Sequence, residues 1–329
     1  MVGYNKDDQM TTNQKLIAGC VSGVFTRFAT QPMDVLKIRT QLMQKRESYN
    51  KKWFGVTRKI LNEEGVMAFW HGHNLGQIYS ITAVSSQFFF YELTTKYVEK
   101  THFPVDDGAM YFRQLLVFCS GILAGCCSTA LVIPLEVIRV RQILVKRKYA
   151  GMFNGAKEVY NTGGILAFYE GLSASLLQMG PQVGISFCVF RYTQPLILSY
   201  FGGCNDANCD RASGHTHNAQ HLMIASTAGG LTAGFVSKTV TYPFDLAKRR
   251  LQISHLDDGK HWVPSTSKKL IKCRRLFECL VKAVKHDGVL GLYRGWNVTI
   301  LKATLTSIVT FTTYELVCHA IMDINFGKK

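Results

Sequence analysis

Pro32-Met33-Asp34-Val35-Leu36-Lys37-Ile38-Arg39 returns as Pro134-Leu135-Glu136-Val137-Ile138-Arg139-Val140-Arg141 and a third time as Pro243-Phe244-Asp245-Leu246-Ala247-Lys248-Arg249-Arg250. A proline, an acid two residues on and bases five and seven residues on therefore recur about every hundred residues, which is the mark of a repeat architecture. Each octet is followed by a Gly-aromatic-Gly element: Glu64-Gly65 to Trp70-His71-Gly72, Gly163-Gly164 to Tyr169-Glu170-Gly171, and Asp287-Gly288 to Tyr293-Arg294-Gly295. Upstream, Gly19/Gly23, Gly121/Gly125 and Gly230/Gly234 lie thirteen and nine residues before their prolines. Small residues at that spacing let helix backbones approach closely in lipid, so these pairs are expected to pack helix on helix.

The composition says what kind of repeat this is. A formal charge of +16 beside 47% hydrophobic residues in 329 is unusual for a soluble enzyme and points to an anionic surface or ligand. Segments 16–36, 112–135, 172–200, 221–244 and 296–322 are long enough to cross about 30 Å of hydrocarbon, and 74–93 is a more polar sixth. Mean hydropathy is only +0.05, because these segments carry Arg27, Gln77, Gln178, Gln182, Lys238 and Lys302. Helices that turn polar side chains toward a shared aqueous cavity have this composition. The sequence thus predicts an all-α membrane protein, six transmembrane helices in three pseudo-repeats around a central cavity, with short helices in the loops. The repeats are expected over 12–100, 110–201 and 218–324.

Loops 40–71, 142–170 and 249–294 hold 6, 4 and 11 Lys or Arg, whereas 97–111 and 199–220 hold only Lys100 and Arg211. Positive loops stay on the side from which insertion starts, so both termini are expected to share a side with the two sparse loops. The start, MVGYNKDDQM, is acidic and lacks an apolar core, and no cleavable presequence is expected. The ten cysteines are scattered and suggest no disulfide framework. Cys204, Cys209, His215, His217 and His221 lack the tight pairs of a zinc site and read as polar linker, so no metal is expected. The chain has no H-E-x-x-H, G-x-S-x-G or Walker A pattern, which argues against an enzyme.

P-x-[DE]-x-x-[KR]-x-[KR] followed by [DE]-G-x4-aromatic-[KR]-G, three times over, resembles the mitochondrial carrier family across nearly the whole chain. Departures are Gly163 where an acid is usual and His71 and Glu170 where a base is usual. The resemblance implies a multi-pass transporter of the mitochondrial inner membrane, with basic loops in the matrix and both termini toward the intermembrane space. It also implies a ring of ion pairs, Asp34–Arg139, Glu136–Lys248 and Asp245–Lys37, that closes the cavity toward the matrix, with Gln41 and Gln252 as braces and Ile143 in the second copy's brace position. An outer gate is weaker in this chain. Tyr91-Glu92 and Tyr314-Glu315 survive from its pattern, but Thr95 and Cys318 stand where bases are usual and Phe190-Arg191 replaces the second copy.

Arg27 and Lys238 lie five residues before Pro32 and Pro243 and seven before Asp34 and Asp245, nearly two helical turns, so each cation shares a face with its acid. Thr129 is the uncharged equivalent in the second copy. Tyr79, Gln178 and Lys302, seven residues after the closing glycines, fall at the family's substrate-contact positions. Arg27, Lys238 and Lys302 suit a diphosphate through charge-assisted hydrogen bonds, and Tyr79 offers an aromatic face to a heterocycle. A charge at mid-membrane costs about 2.5–3.5 kcal/mol on insertion scales, so three such cations argue for function over chance.

Within the family, VSGVFTR, EEGVMAFWHGH and SKTVTYPFDLAKRRLQ are similar to members that carry thiamine pyrophosphate. That likeness implies import of thiamine pyrophosphate, as a transported substrate and not a cofactor, in exchange for nucleotides by alternating access. Expected partners are membrane lipid such as cardiolipin at the basic loops, with no nucleic acid, and a monomer is expected. The competing readings are a carrier of adenine nucleotides or coenzyme A, which would use the same cations, and a proton-leak carrier, which would lack tight exchange. A run of arginines on the sixth helix goes with adenine nucleotide exchange in the family and is absent around Leu301-Lys302-Ala303.

Overall fold

A computed structural model describes residues 12–42, 54–100, 107–145, 149, 151–200, 219–254, 273 and 275–326. Six long helices carry the architecture: α1 (Thr12–Leu42), α3 (His73–Lys100), α4 (Asp107–Leu144), α6 (Leu172–Tyr200), α7 (Ala219–Leu251) and α9 (Trp296–Phe326). Three short helices, α2 (Phe54–Glu64), α5 (Met152–Gly163) and α8 (Leu276–Asp287), lie between the members of each pair. Among the described residues there is no strand. The 31 residues of α1 reach about 46 Å, well beyond the roughly 30 Å of a hydrocarbon core, so the helix must tilt or bend.

The bends have a chemical origin. Pro32, Pro134 and Pro243 lie inside α1, α4 and α7, where each removes a backbone donor. Thr30 and Thr241, two residues before their prolines, donate back to the carbonyls of Thr26 at 2.8 Å and Ser237 at 2.7 Å, an interaction that itself favours bending. Packing is closest between neighbouring repeats, α3 on α4, α6 on α7 and α9 on α1, and thinner contacts within repeats complete a ring in the order α1, α3, α4, α6, α7, α9.

The buried core sits at the proline end of the ring. Val35, Ile38, Ile133, Val137, Ile138 and Ile143 form its largest cluster, and Leu36, Ile60, Ala68 and Phe69 pack α2 beneath α1. Toward the other end Ile81, Phe88, Phe89, Phe311 and Leu316 are exposed by the protein itself. Large apolar side chains left outside a helical ring are what a lipid solvent accepts. By hydropathy alone, Phe118–Leu144 and Val289–Met322 qualify as spans, and the other long helices fall short because of their polar residues.

The signature glycines of the loops all have positive φ, and Gly295 explains why. At φ 84° it turns the chain into α9, and a Cβ there would lie 3.1 Å from the Tyr242 hydroxyl and 3.2 Å from Gln41 Cγ. The GxxxG glycines behave otherwise than the sequence suggests. A Cβ added at Gly19, Gly23, Gly121, Gly230 or Gly234 meets nothing within 4 Å, and Gly125 faces Met179 Sδ. It is Gly229, outside the pattern, that lies against Phe190 and Thr193 of α6. Of the paired glycines on α1, α4 and α7, only Gly125 faces a neighbouring helix in this conformation.

Buried arginines fasten the short helices to the long ones. Arg39 on α1 forks onto both carboxylate oxygens of Glu64 at the end of α2 and donates to the Ile143 carbonyl at 3.0 Å. In the second repeat Arg141 is fully buried and donates to Glu170 at 2.8 Å. The acid missing at position 163 is thus supplied seven residues later, at the very position where the family carries a base. The two departures compensate each other. Cys273 and Cys279, with Cα atoms 5.1 Å apart at the start of α8, have their sulfurs in bonding contact, a pair the scattered spacing did not suggest.

Candidate functional site

The proline bends bring the octets of α1, α4 and α7 together on the axis. Arg139 Nη2 lies 2.9 Å from Asp34 Oδ2, Lys37 Nζ 3.0 Å from Asp245 Oδ2, and Lys248 Nζ 2.8 Å from Glu136 Oε2. Each pair joins two repeats, so the three close a ring. The carboxylate side chains are only 8%, 10% and 5% exposed. Breaking one buried pair leaves an uncompensated charge and costs about 3–5 kcal/mol, while the intact pair adds little net stability after desolvation. A contact of this kind can be made and exchanged but not left half-made.

The cavity cations rest on the same carboxylates. Lys302 Nζ lies 2.5 Å from Asp34 Oδ1, Arg27 Nη1 3.5 Å from Asp34 Oδ2, and Lys238 Nζ 3.2 Å from Asp245 Oδ2. Gln178 donates to Asp245 Oδ1 at 3.2 Å and to Gln182 Oε1 at 3.2 Å. Arg249 adds a second base to Glu136, Nη1 to Oε1 at 2.8 Å. Arg27, Lys37, Arg139, Lys238, Lys248, Arg249 and Lys302 thus share Asp34, Glu136 and Asp245, and seven positive charges on three negative ones leave an excess of four.

Two positioning residues lay outside the sequence reading. Gln31 is fully buried, accepts from Arg139 Nη2 at 3.0 Å and donates to the His71 carbonyl at 3.0 Å, so it fixes the guanidinium that meets Asp34. Gly76 leaves room for that guanidinium, since a Cβ there would lie 2.9 Å from Arg139 Nε. The expected braces reach the ring indirectly. Gln41 donates to the Tyr242 hydroxyl at 3.0 Å, which in turn donates to the Arg294 carbonyl at 2.7 Å. Gln252 accepts from Arg249 Nη1 at 2.8 Å. Residues just before proline, Gln31 and Tyr242, thus bind the backbone of equivalent loop positions, His71 and Arg294.

A cavity of about 880 Å³ opens between α6, α7 and α9, with Gln182, Ser186, Phe190, Lys238 and Ala303 in its wall. That is ample for a coenzyme-sized ligand. Of the residues proposed to hold substrate, Lys238 lines this cavity, while Arg27, Gln178 and Lys302 lie on the gate carboxylates. Tyr79 stands half-buried on α3, three residues beyond Gly76, whose carbonyl accepts from Arg27 Nη2 at 3.4 Å.

At the outer end the seams are neutral. Ser22 and Thr313 hydroxyls bond across α1 and α9 at 2.9 Å, Ser86 and Ser128 across α3 and α4 at 2.7 Å, and Gln194 donates to Ser226 across α6 and α7 at 3.2 Å. Glu92 pairs with Lys96 of its own helix at 2.7 Å, both exposed. The Cys204 to His217 linker lies outside the described residues. Among the described residues no cluster of metal-ligating side chains occurs.

Three repeats of a bent helix, a short amphipathic helix and a second long helix, closed by cyclic ion pairs, define a membrane transporter. The sequence profile described as mitochondrial carrier protein matches residues 8–102, 113–201 and 219–325, and the chain belongs to the mitochondrial carrier family. It is therefore a transporter of the mitochondrial inner membrane and not an enzyme. Among curated proteins it is similar to the mitochondrial thiamine pyrophosphate carrier of Macaca fascicularis, 32% identical over 338 residues that cover 99% of this chain and 98% of the relative. The human protein of the same name is 31% identical with the same coverage. The mitochondrial thiamine pyrophosphate carrier 1 of Neurospora crassa is 28% identical over 94% of this chain and 91% of its own.

Proposed function

We propose that the chain imports thiamine pyrophosphate across the mitochondrial inner membrane by alternating access, in exchange for nucleotides. The observation that carries this reading is the excess of four positive charges around Asp34, Glu136 and Asp245, which an anion must offset. Relatives alike over more than nine-tenths of their length bear the substrate's name. In this mechanism Asp34, Lys37, Glu136, Arg139, Asp245 and Lys248 form the matrix gate, with Gln41 and Gln252 bracing it. Arg27, Tyr79, Gln178, Lys238 and Lys302 hold the substrate, the cations taking its phosphates and Tyr79 facing its ring.

Competition for cations links binding to gating. A diphosphate that draws Lys302 and Arg27 from Asp34 and Lys238 from Asp245 leaves each carboxylate with a single base. Charge-assisted bonds to phosphate replace those lost, so the gate loosens without a large net cost. The basic loops face the matrix and bind anionic lipid such as cardiolipin, both termini face the intermembrane space, and the chain works as a monomer.

Purified protein in liposomes tests this. Labelled thiamine pyrophosphate should enter only vesicles preloaded with thiamine pyrophosphate or nucleotide. Brisk exchange of nucleotides or coenzyme A with no thiamine pyrophosphate uptake would overturn the substrate, and uptake into empty vesicles at the same rate would overturn exchange.

A further inference from the structure

Two of the three gate carboxylates are shared with the cavity and the third is not. Asp34 is held by Arg139 and also by Arg27 and Lys302, and Asp245 by Lys37 and also by Lys238. In the second repeat the position of the cavity cation is Thr129. Both oxygens of Glu136 are instead taken by the end of α7, Oε2 by Lys248 and Oε1 by Arg249, each at 2.8 Å. Arg249 is fixed in turn by Gln252 Oε1 at 2.8 Å.

We propose that Arg249 is a positioning residue that keeps the contact between α4 and α7 closed while the substrate loosens the two contacts made by α1. An anion that collects Arg27, Lys238 and Lys302 strips a supporting cation from Asp34 and Asp245. It has no such hold on Glu136, whose two bases both come from the gate segment itself. The two contacts made by α1 therefore yield to the substrate first, and α4 and α7 move as one unit during that step. A permanently charged nitrogen suits this role, because Arg249 Nη1 alone meets both Glu136 Oε1 and Gln252 Oε1.

One arm of the test needs no substrate. Purified full-length protein in detergent is unfolded by heat as Lys248→Gln, Arg249→Gln and the double variant. If either base can hold Glu136, each single change lowers the midpoint modestly and the double lowers it by more than their sum, whereas additive losses would overturn the proposal. Should the double variant not fold, Arg249→Gln is made in a Glu136→Gln background. It should then cost nothing further there, and a loss equal to that in the wild type is the overturning result.

The second arm rests on the exchange reading. In liposomes loaded with thiamine pyrophosphate, release into buffer without counter-substrate is compared with exchange. Arg249→Gln should raise that ratio about tenfold and Arg249→Lys should return it toward the wild type, with tenfold being the effect of roughly 1.4 kcal/mol on a barrier. An unchanged ratio overturns the proposal. Wild-type protein that exchanges nothing would sink the substrate assignment, and the unfolding arm would still decide the role of Arg249.

Discussion

Lys302 Nζ on α9 and Asp34 Oδ1 on α1 lie 2.5 Å apart, so the last long helix of the chain is tied by an ion pair to the first. Lys302 is also the cation proposed to contact the substrate in the third repeat. Replacing it with Ala removes one charge-assisted bond to the substrate, worth about 1.5–3 kcal/mol, and should lower exchange roughly ten- to hundredfold in liposomes. Insertion should be unaffected, as judged by the yield of folded protein from membranes. Normal exchange by Lys302→Ala would mean that the substrate binds elsewhere.

The Arg141–Glu170 pair predicts an unusual pattern of mutational effects. Arg141 is fully buried, so Glu170→Gln leaves its charge unpartnered at about 3–5 kcal/mol, and Glu170→Lys, which restores the family's usual base, should be worse still. Adding an acid at position 163 should recover part of the loss in Glu170→Lys. Thermal unfolding of the three proteins would read this out, and a Glu170→Lys variant as stable as the wild type would contradict the compensation.

Gln31→Leu keeps the bulk at a fully buried site but removes both of its hydrogen bonds. It takes from the His71 carbonyl and from one N–H of Arg139 Nη2, which still donates to Asp34, the hydrogen bond each makes to Gln31, at about 1–3 kcal/mol each. The expected result is a lower unfolding midpoint together with slower exchange. Gln31→Glu should be tolerated better, since it still accepts from Arg139. Equal damage from the two changes would show that volume, and not the bond to Arg139, matters here.

Gly295→Ala should destabilise the protein by about 1–3 kcal/mol, because alanine must hold a left-handed backbone and its methyl would press on Tyr242. Gly234→Ala is the control. It adds the same methyl on a helical backbone with nothing within 4 Å, and its unfolding midpoint should match the wild type or rise slightly.

Much of this arrangement is legible in the chain because its information is local and repeated. Acid and base recur three times at one spacing, and that periodicity fixes the bends, the repeats and the candidates for the ring. What escaped has other causes. Arg249 fills a position that any residue can occupy in the octet, and its meaning depends on Glu136 in another repeat. Gln31 looks like an ordinary residue before proline until Arg139, 108 residues away, is placed beside it. Glu170 and Gly163 read as two separate departures, though their coincidence in one copy was a visible sign of compensation. The glycine pairs carried a real period, but only Gly125 among them faces another helix, since spacing alone does not say which face of a helix meets a neighbour.

The charges around the ring are unevenly spread. Arg27, Lys238 and Lys302 stand on α1, α7 and α9, three helices that are consecutive around the ring, while α3, α4 and α6 bring Tyr79, Thr129 and Gln178 to the corresponding positions. The passage therefore has a positive side and a neutral side along one wall-to-wall axis. A molecule with its charge at one end cannot tumble freely between them. In the proposed function such a cargo would turn its anionic end toward these three helices, so the threefold chain would favour one orientation of it.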